Sequence, residues 1–341
     1  MPKKDQKILI ATGGTGGHVF PSISLIDFIK QEYHIEVTTD KRGLKFLKNL
    51  ENTRINIIDT NTIFEKNFFK FLTRILILTF SFFKSIFLVI KLKPKLVIGM
   101  GGYSSFPICL AAYFLKIPII IYENNLVIGR ANKFLLPFVK KILIANKFVK
   151  GISPKYKEKI YFTGYFLRSN IFKIEKNHDD IERKRSLSIL IIGGSQSAQI
   201  FSEALPLVLK KCYLNDIKFK IYQQCHDKQK LQLENFYKKL NFNFELFSFS
   251  ESLLDYYKQA DLAITRAGAS SVAELLNLRI PFIAIPLPSS ADNHQYENAS
   301  HFEKKGYCFL LEERFIHDKL FKILYDLNHD RQKLLSLKKN M

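Results

Sequence analysis

Cysteine is scarce in this 341-residue chain: its four copies, Cys109, Cys212, Cys225 and Cys308, lie far apart and form no CxxC pair. That spacing excludes a disulfide framework and a cysteine-based zinc site, and it fits reduced thiols in a cytosolic protein. Two nucleotide-loop signatures are missing as well. Neither G-x-G-x-x-G nor G-x-x-x-x-G-K-[ST] occurs, which disfavours a nicotinamide dehydrogenase and a P-loop NTPase. No DxD-like pair of acidic metal ligands stands in a convincing context, so no metal and no cofactor is expected. The N-terminal apolar run breaks at Gly13 and Gly14, too early for the apolar region of a signal peptide, so a cytoplasmic, unsecreted chain is expected. Acidic residues are also in deficit: 31 Asp and Glu face 52 Lys and Arg, a formal charge of +21. Such an excess points to anionic partners: nucleic acid, an acidic membrane face or phosphorylated substrates. The abundance of Lys, Ile, Asn and Phe leaves compositional drift as an alternative source.

What is present is a regular alternation. Short apolar runs rich in β-branched residues, "KILIA", "HIEVTT", "INIID", "KLVIGM", "IPIIIY", "KILIA" and "KIYFTG", are separated by helical patterns. The pattern restarts at Ser186 with "SLSILIIGG", "FKIYQQ", "FELFSF", "DLAITRAG", "IPFIAIPL" and "YCFLLEE". This predicts an α/β chain of two doubly wound, Rossmann-like parallel-sheet domains, 1–166 and 167–325, with a basic helical segment at 326–341. The length suits two domains of ~100–200 residues each. "ILIATGGTGG" and "ILIIGGSQSA" open the two halves alike, so each is expected to offer a ligand loop at the carboxyl edge of its first strand, facing a central cleft.

Three glycine segments end strands: Gly13 to Gly17, Gly99 to Gly102, and Gly193 to Gly194. Without a Cβ, such turns can aim amides and a helix N-terminus at an anion or a sugar edge, although each is also consistent with a plain tight turn. His18 follows the first segment and precedes Pro21, a proline suited to a helix's first turn. Its imidazole is a candidate general base, or alternatively a loop brace. In "TRAGASSVAELL" a helix starting near Ala269 places Ser270 and Ser271 where N-terminal amides can bind a diphosphate without a metal. Glu274, one turn further, is placed to accept hydrogen bonds from ribose hydroxyls, or is simply a favourable charge in the first turns of the helix.

Together "GGTGGHVFPSISL", "GMGGYSSFP", "YENNLVIGRANK", "GYFLR", "GGSQSAQ" and "TRAGASSVAELL…NHQYENA" resemble the MurG family, in that order and over nearly the whole chain. The resemblance implies a GT-B fold and a metal-independent, inverting transfer of GlcNAc from UDP-GlcNAc. The acceptor would be the C4 hydroxyl of undecaprenyl-pyrophosphoryl-MurNAc-pentapeptide, which turns lipid I into lipid II for peptidoglycan. It implies that Thr15, Gly16 and Gly17 meet the donor, that Asn125 reaches it, that Arg168 and Ser195 lie near the nucleotide-sugar and that Phe249 lies at the uracil. Ala269, Ser270, Ser271, Val272, Ala273 and Glu274 would hold diphosphate and ribose, and His294 and Gln295 the sugar hydroxyls. His18 would be the base, and Gly13, Gly14, Gly101, Gly102, Tyr103, Glu123 and Asn132 would line the acceptor side. The final helix, 326–341, would cross back to the first domain. Ser197 and Ser202 depart from the family's usual glycine and asparagine, which leaves the class intact but unsettles local donor contacts.

The most apolar stretch, "FFKFLTRILILTFSFFKSIFLVIKLKPK", is about the length of a membrane span but is interrupted by Arg74 and Lys84. Each charge at bilayer depth costs ~2.5–3.5 kcal/mol, so the expectation is a crossover helix over 68–92 whose surplus apolar face sits in a lipid interface, rimmed by lysines. An ordinary buried crossover helix is the alternative. Peripheral attachment to the anionic cytoplasmic face of the inner membrane is therefore expected, with other cell-wall synthesis and division proteins as further partners and nucleic acid as none. Three rivals remain: a diacylglycerol-type GT-B lipid glycosyltransferase, a sugar-nucleotide 2-epimerase, and a non-catalytic basic protein that binds nucleic acid or membrane with strong salt dependence.

Overall fold

Each short β-branched run forms a strand. In the computed structural model the described residues are 3–48, 50, 53–60, 68–174, 181, 184–194, 198–248 and 253–341. The chain divides into two compact units, Met1–Arg168 and Ser169–Met341.

In the first unit, β1 (Lys3–Ala11), α1 (Gly16–Ile29), β2 (Tyr33–Thr39), α2 (Lys41–Leu47), β3 (Arg54–Ile57) and α3 (Phe68–Leu92) follow in turn. Then come β4 (Leu96–Gly99), α4 (Phe106–Phe114), β5 (Ile119–Glu123), α5 (Arg130–Leu135), β6 (Lys141–Ile144) and β7 (Ile160–Phe162). Among the described residues these strands make one sheet in the order β3-β2-β1-β4-β5-β6-β7, parallel at every pairing. Alternate β1 residues feed opposite cores, Ile8 and Ile10 under α1 with Val19 and Ile26, Leu9 and Ala11 under α4 with Ile108 and Ala112. Burial on both faces is why the strands read as unbroken apolar runs.

The second unit repeats the plan with β8 (Leu187–Ile192), α6 (Ala198–Leu214), β9 (Phe219–Gln224), α7 (Asp227–Lys239), β10 (Asn243–Phe247) and α8 (Leu253–Gln259). It continues through β11 (Leu262–Thr265), α9 (Ala269–Asn277), β12 (Phe282–Ala284), α10 (His294–Lys304), β13 (Cys308–Leu310), α11 (Ile316–His329) and α12 (Arg331–Asn340). Its sheet order is β10-β9-β8-β11-β12-β13. The expected two Rossmann-like, doubly wound domains are therefore present. Residues 326–341 supply Leu327 and Leu334 to the second unit's core, and Asn340 Nδ2 donates to Gly306 O.

In both sheets the order reverses beside the first strand, between β1 and β4 and between β8 and β11. Loops leaving adjacent strands there diverge to opposite faces and open a crevice. The glycine segments Gly13–Gly17 and Gly99–Gly102 leave β1 and β4, so the switch point brings them together. In the second unit Gly193–Gly194 and the start of α9 share the equivalent place.

All four cysteines are buried, and burial pushes the Cys109 and Cys212 thiols up to about 12 and raises Cys225 and Cys308 as well. The helix α3 carries Val89 and Leu92 in the core, and Ser81 Oγ donates to Asp59 O. Its outer stripe, Phe69, Leu72, Leu76, Phe80, Phe83, Phe87 and Ile90, is exposed. By length and composition Leu72–Leu92 could cross a membrane, and 22% of an 18-residue stretch within it is buried in the protein.

Pro21 does not sit in the first turn as expected, because α1 already begins at Gly16. A proline there has no N–H for the carbonyl four residues back, that of Gly17. Asn124 supplies the missing donor, its Nδ2 lying 2.6 Å from Gly17 O. The first glycine turn is thereby tied to the segment after β5. Asn124→Ala should remove that donor and cost about 1–3 kcal/mol in urea unfolding. In a Pro21→Ala background a backbone N–H returns and most of that cost should vanish; strict additivity in the double-mutant cycle would refute the exchange of donors.

Candidate active site

The site in the first unit is built on Asp40, which sequence reasoning did not single out. Placed at the end of β2 and only 2% exposed, it caps α2. Its Oδ1 accepts Gly14 N and Gly43 N, each at 2.9 Å, and its Oδ2 accepts Arg42 Nε and Nη2 at 2.9 and 2.7 Å. Burial opposes its ionisation, but the two amides and the Arg42 guanidinium outweigh that and hold its pKa below the usual carboxylate range. Gly13 is clamped against this group: a Cβ there would stand 2.4 Å from Ser104 Oγ and 2.9 Å from Asp40 Oδ1.

His18 lies in the first turn of α1, half-buried, with Nδ1 3.1 Å from Met100 O. A carbonyl can only accept, so Nδ1 carries the proton and Nε2 the lone pair. The ring rests on the second glycine turn. Gly101 and Gly102 have φ of +87° and +76°, and a Cβ on Gly101 would sit 2.9 Å from His18 Nδ1. Thr12 Oγ1 and Ser22 Oγ both donate to His18 O, fixing the backbone under the ring. Thr15 is the exposed residue just before α1, and its carbonyl accepts His18 N.

At the end of β5, Glu123 is 2% exposed and gathers four donors. Oε1 accepts Asn125 N and Nδ2 at 3.1 and 3.2 Å, while Oε2 accepts Gly129 N and Asn132 Nδ2 at 2.8 and 2.9 Å. Asn125 Nδ2 also donates to Asn124 Oδ1, and Asn124 reaches Gly17. Glu123, Asn124, Asn125 and Asn132 are thus one network running to the first glycine turn. Asn132 is buried, and its Nδ2 would lie 3.5 Å from a Cβ on Gly101, beside the His18 ring. Tyr103 is half-buried on the same turn. Arg168 closes the first unit with its guanidinium 5.7 Å from the Phe20 ring centroid.

In the second unit the ladder of α9 begins with Val272 N donating to Gly268 O, so the amides of Ala269, Ser270 and Ser271 precede it. Val272 and Ala273 have buried side chains and face the core. Glu274 is 7% exposed, and its Oε2 accepts Tyr257 Oη at 2.8 Å. Gln295 Oε1 accepts Leu287 N at 3.0 Å, and His294 Nδ1 donates to Ala291 O at 2.7 Å, which sets both at the start of α10. Two supports were not anticipated: Asn298 Nδ2 donates to Ala267 O just before α9, and buried Arg266 pairs with Glu313 and donates to Ile285 O and Pro286 O. Gly194 N donates to Gln224 Oε1. Ser195, Ser197 and Phe249 lie outside the described residues. Among the described residues no group of three or more His, Cys, Asp or Glu is gathered as metal ligands would be.

Because folding depresses the Asp40 pKa, its stabilising contribution is present above the unfolded value of about 3.9 and is lost as pH falls through the folded one. Asp40→Asn should cost about 1–3 kcal/mol at pH 7 by urea unfolding, and the gap to wild type should begin to narrow below about pH 4 and close as pH falls through the lowered folded value. A gap unchanged across that range would contradict the clamp.

The Glycosyltransferase family 28 N-terminal domain matches residues 8–144, and the Glycosyltransferase family 28 C-terminal domain matches residues 188–341. The UDP-N-acetylglucosamine--N-acetylmuramyl-(pentapeptide) pyrophosphoryl-undecaprenol N-acetylglucosamine transferase of Pelagibacter ubique is 36% identical over 338 residues, covering 99% of this chain and 93% of its own. The Rickettsia canadensis protein of the same name is 38% identical over 347 residues, covering 95% and 94%. The crystal structure of Acinetobacter baumannii MurG superposes with a TM-score of 0.74 at 26% identity, over 98% of this chain and 93% of that one. The crystal structure of a UDP-N-acetylglucosamine 2-epimerase shares the fold at 12% identity, with a TM-score of 0.59 over 98% and 90% of the two chains. Two glycosyltransferase domains in sequence and relatives of one name along almost the whole length leave a single assignment: the chain belongs to glycosyltransferase family 28 and, within it, to the MurG family of UDP-N-acetylglucosamine-dependent transferases.

Proposed function

We propose that this chain transfers GlcNAc from UDP-GlcNAc to the C4 hydroxyl of undecaprenyl-pyrophosphoryl-MurNAc-pentapeptide in one inverting displacement. The observation that carries the mechanism is the hydrogen bond from His18 Nδ1 to Met100 O, which leaves Nε2 as the basic nitrogen. Nε2 takes the proton of the acceptor hydroxyl as its oxygen attacks the anomeric carbon. The bond from that carbon to the diphosphate breaks, and its electron pair goes to the leaving UDP. The α9 amides of Ala269, Ser270 and Ser271 meet the diphosphate as its charge grows, and because they are preorganised they stabilise the transition state more than the ground state. Glu274 takes the ribose hydroxyls, while Gln295 and His294 take the sugar. The network around Glu123 holds Asn132 on the acceptor side and Asn125 for the donor.

The exposed α3 stripe supports peripheral attachment to a membrane that carries the prenyl-linked acceptor. Seven outward apolar residues recur at three- and four-residue steps, as on one face of a helix. Lys84 lies 5.1 Å from the Phe80 ring centroid, a placement from which its charge can reach the headgroups. The inner face is occupied by the protein's own core through Val89 and Leu92, which favours lying in the interface over spanning it.

With labelled UDP-GlcNAc and a short-chain lipid I analogue, wild type should release UDP only when the acceptor is present; release without it would favour the epimerase reading. His18→Ala should lower turnover about 10²–10⁴-fold at saturating substrate, and near-full turnover would remove His18 from the base role. Replacing Phe80, Phe83 and Phe87 by Ser should abolish co-sedimentation with vesicles containing anionic lipid while sparing turnover of the short-chain analogue. Undiminished sedimentation would move the docking face elsewhere.

A further inference from the structure

Two adjacent tyrosines on α8 point to different elements, as residues about 100° apart around a helix must. Tyr256 Oη donates to Glu245 Oε1 at 2.6 Å, and its ring stacks on Phe247 with centroids 4.3 Å apart. Tyr257 is 0% exposed and turns the other way, its Oη lying 2.8 Å from Glu274 Oε2. The first tyrosine pins the helix to β10, so the second offers its hydroxyl from a fixed place. A phenol has only two rotatable side-chain bonds, so such a donor is held with little entropy left to lose.

The acceptor of that hydroxyl is Glu274. Its side chain has three rotatable bonds, and the carboxylate is nearly stripped of water, where an ionised group without donors is costly. A charge-assisted hydrogen bond from a buried phenol both stabilises the charge and selects one rotamer. A ligand then meets an acceptor already in position and does not have to order it.

We infer that Tyr257 is a positioning residue for the donor site: by holding the Glu274 carboxylate, it makes nucleotide binding depend on the ribose hydroxyls. This rests on the reading of Glu274 as the ribose acceptor given above. The role is indirect, because Tyr257 is fully buried and touches the carboxylate, not the nucleotide.

The test is calorimetric binding of UDP and 2′,3′-dideoxy-UDP to the full chain, in wild type, Tyr257→Phe and Glu274→Gln. Wild type should prefer UDP by at least about 10-fold, Tyr257→Phe should lose most of that by weakening UDP about 10-fold, and its affinity for the dideoxy nucleotide should stay within about twofold of wild type. Glu274→Gln, which keeps the side-chain volume, should flatten the preference in the same way. If Tyr257→Phe weakens both nucleotides equally, the phenol merely supports the fold, and the inference fails while the ribose reading stands. Unchanged UDP affinity in Tyr257→Phe overturns it too, and an intact preference in Glu274→Gln overturns the ribose reading on which it rests. A wild type indifferent to the two hydroxyls would overturn the ribose reading itself.

Discussion

A turn made of glycine has no side chains to hold it, so its shape depends on what its main-chain groups bond to. In the first unit the contact that matters most is Gly14 N to the Asp40 carboxylate, which brings the end of β2 under the turn leaving β1. Thr12 below His18, Met100 beside its ring and Asn124 at Gly17 complete the set. Asp40, Met100 and Asn124 lie just past the carboxyl ends of β2, β4 and β5, and Thr12 just past that of β1 itself, so the sheet order is the condition for all of them. If β4 and β5 lay elsewhere in the sheet, His18 and Gly17 would lose their anchors.

The second unit solves the same problem with different chemistry. Its N-terminal amides come from a helix start, which is rigid already, and the support goes to the loops around it. Asn298 fastens Ala267, two residues before α9, and Arg266 ties the end of β11 to the β12 exit and to Glu313. A buried guanidinium is costly to desolvate, and here it is met by two carbonyls and a carboxylate, with the Phe201 ring 5.1 Å away. The two halves share a topology but not a way of stiffening it, as expected if one must orient a reacting alcohol and the other a charged leaving group.

How much of this was legible in the sequence follows from the range of each interaction. Strands were readable because both faces of each sheet are covered, which forces continuous apolar runs such as Leu9 to Ala11 and Ile189 to Ile192. The helix start at Ala269 was readable because small residues after a strand leave a local mark. Asp40, Asn124 and Tyr257 were not, since each reaches a partner at a sequence distance that no periodicity encodes; Asn124 and Gly17 are 107 positions apart. One clue was available: a proline inside α1 must leave a carbonyl unsatisfied, and an amide side chain had to come from somewhere. The stripe on α3 was visible as an excess of Phe, Ile and Leu, but only packing could tell which face was surplus.

The four buried thiols carry a practical corollary. A sulfhydryl that ionises only at strongly alkaline pH, and lies beneath the surface, reacts slowly with maleimides and other alkylating probes. Single cysteines engineered onto the exterior of each half could therefore take fluorophores or spin labels against a nearly silent native background, making interlobe distance measurements feasible without first stripping the chain of its own sulfur.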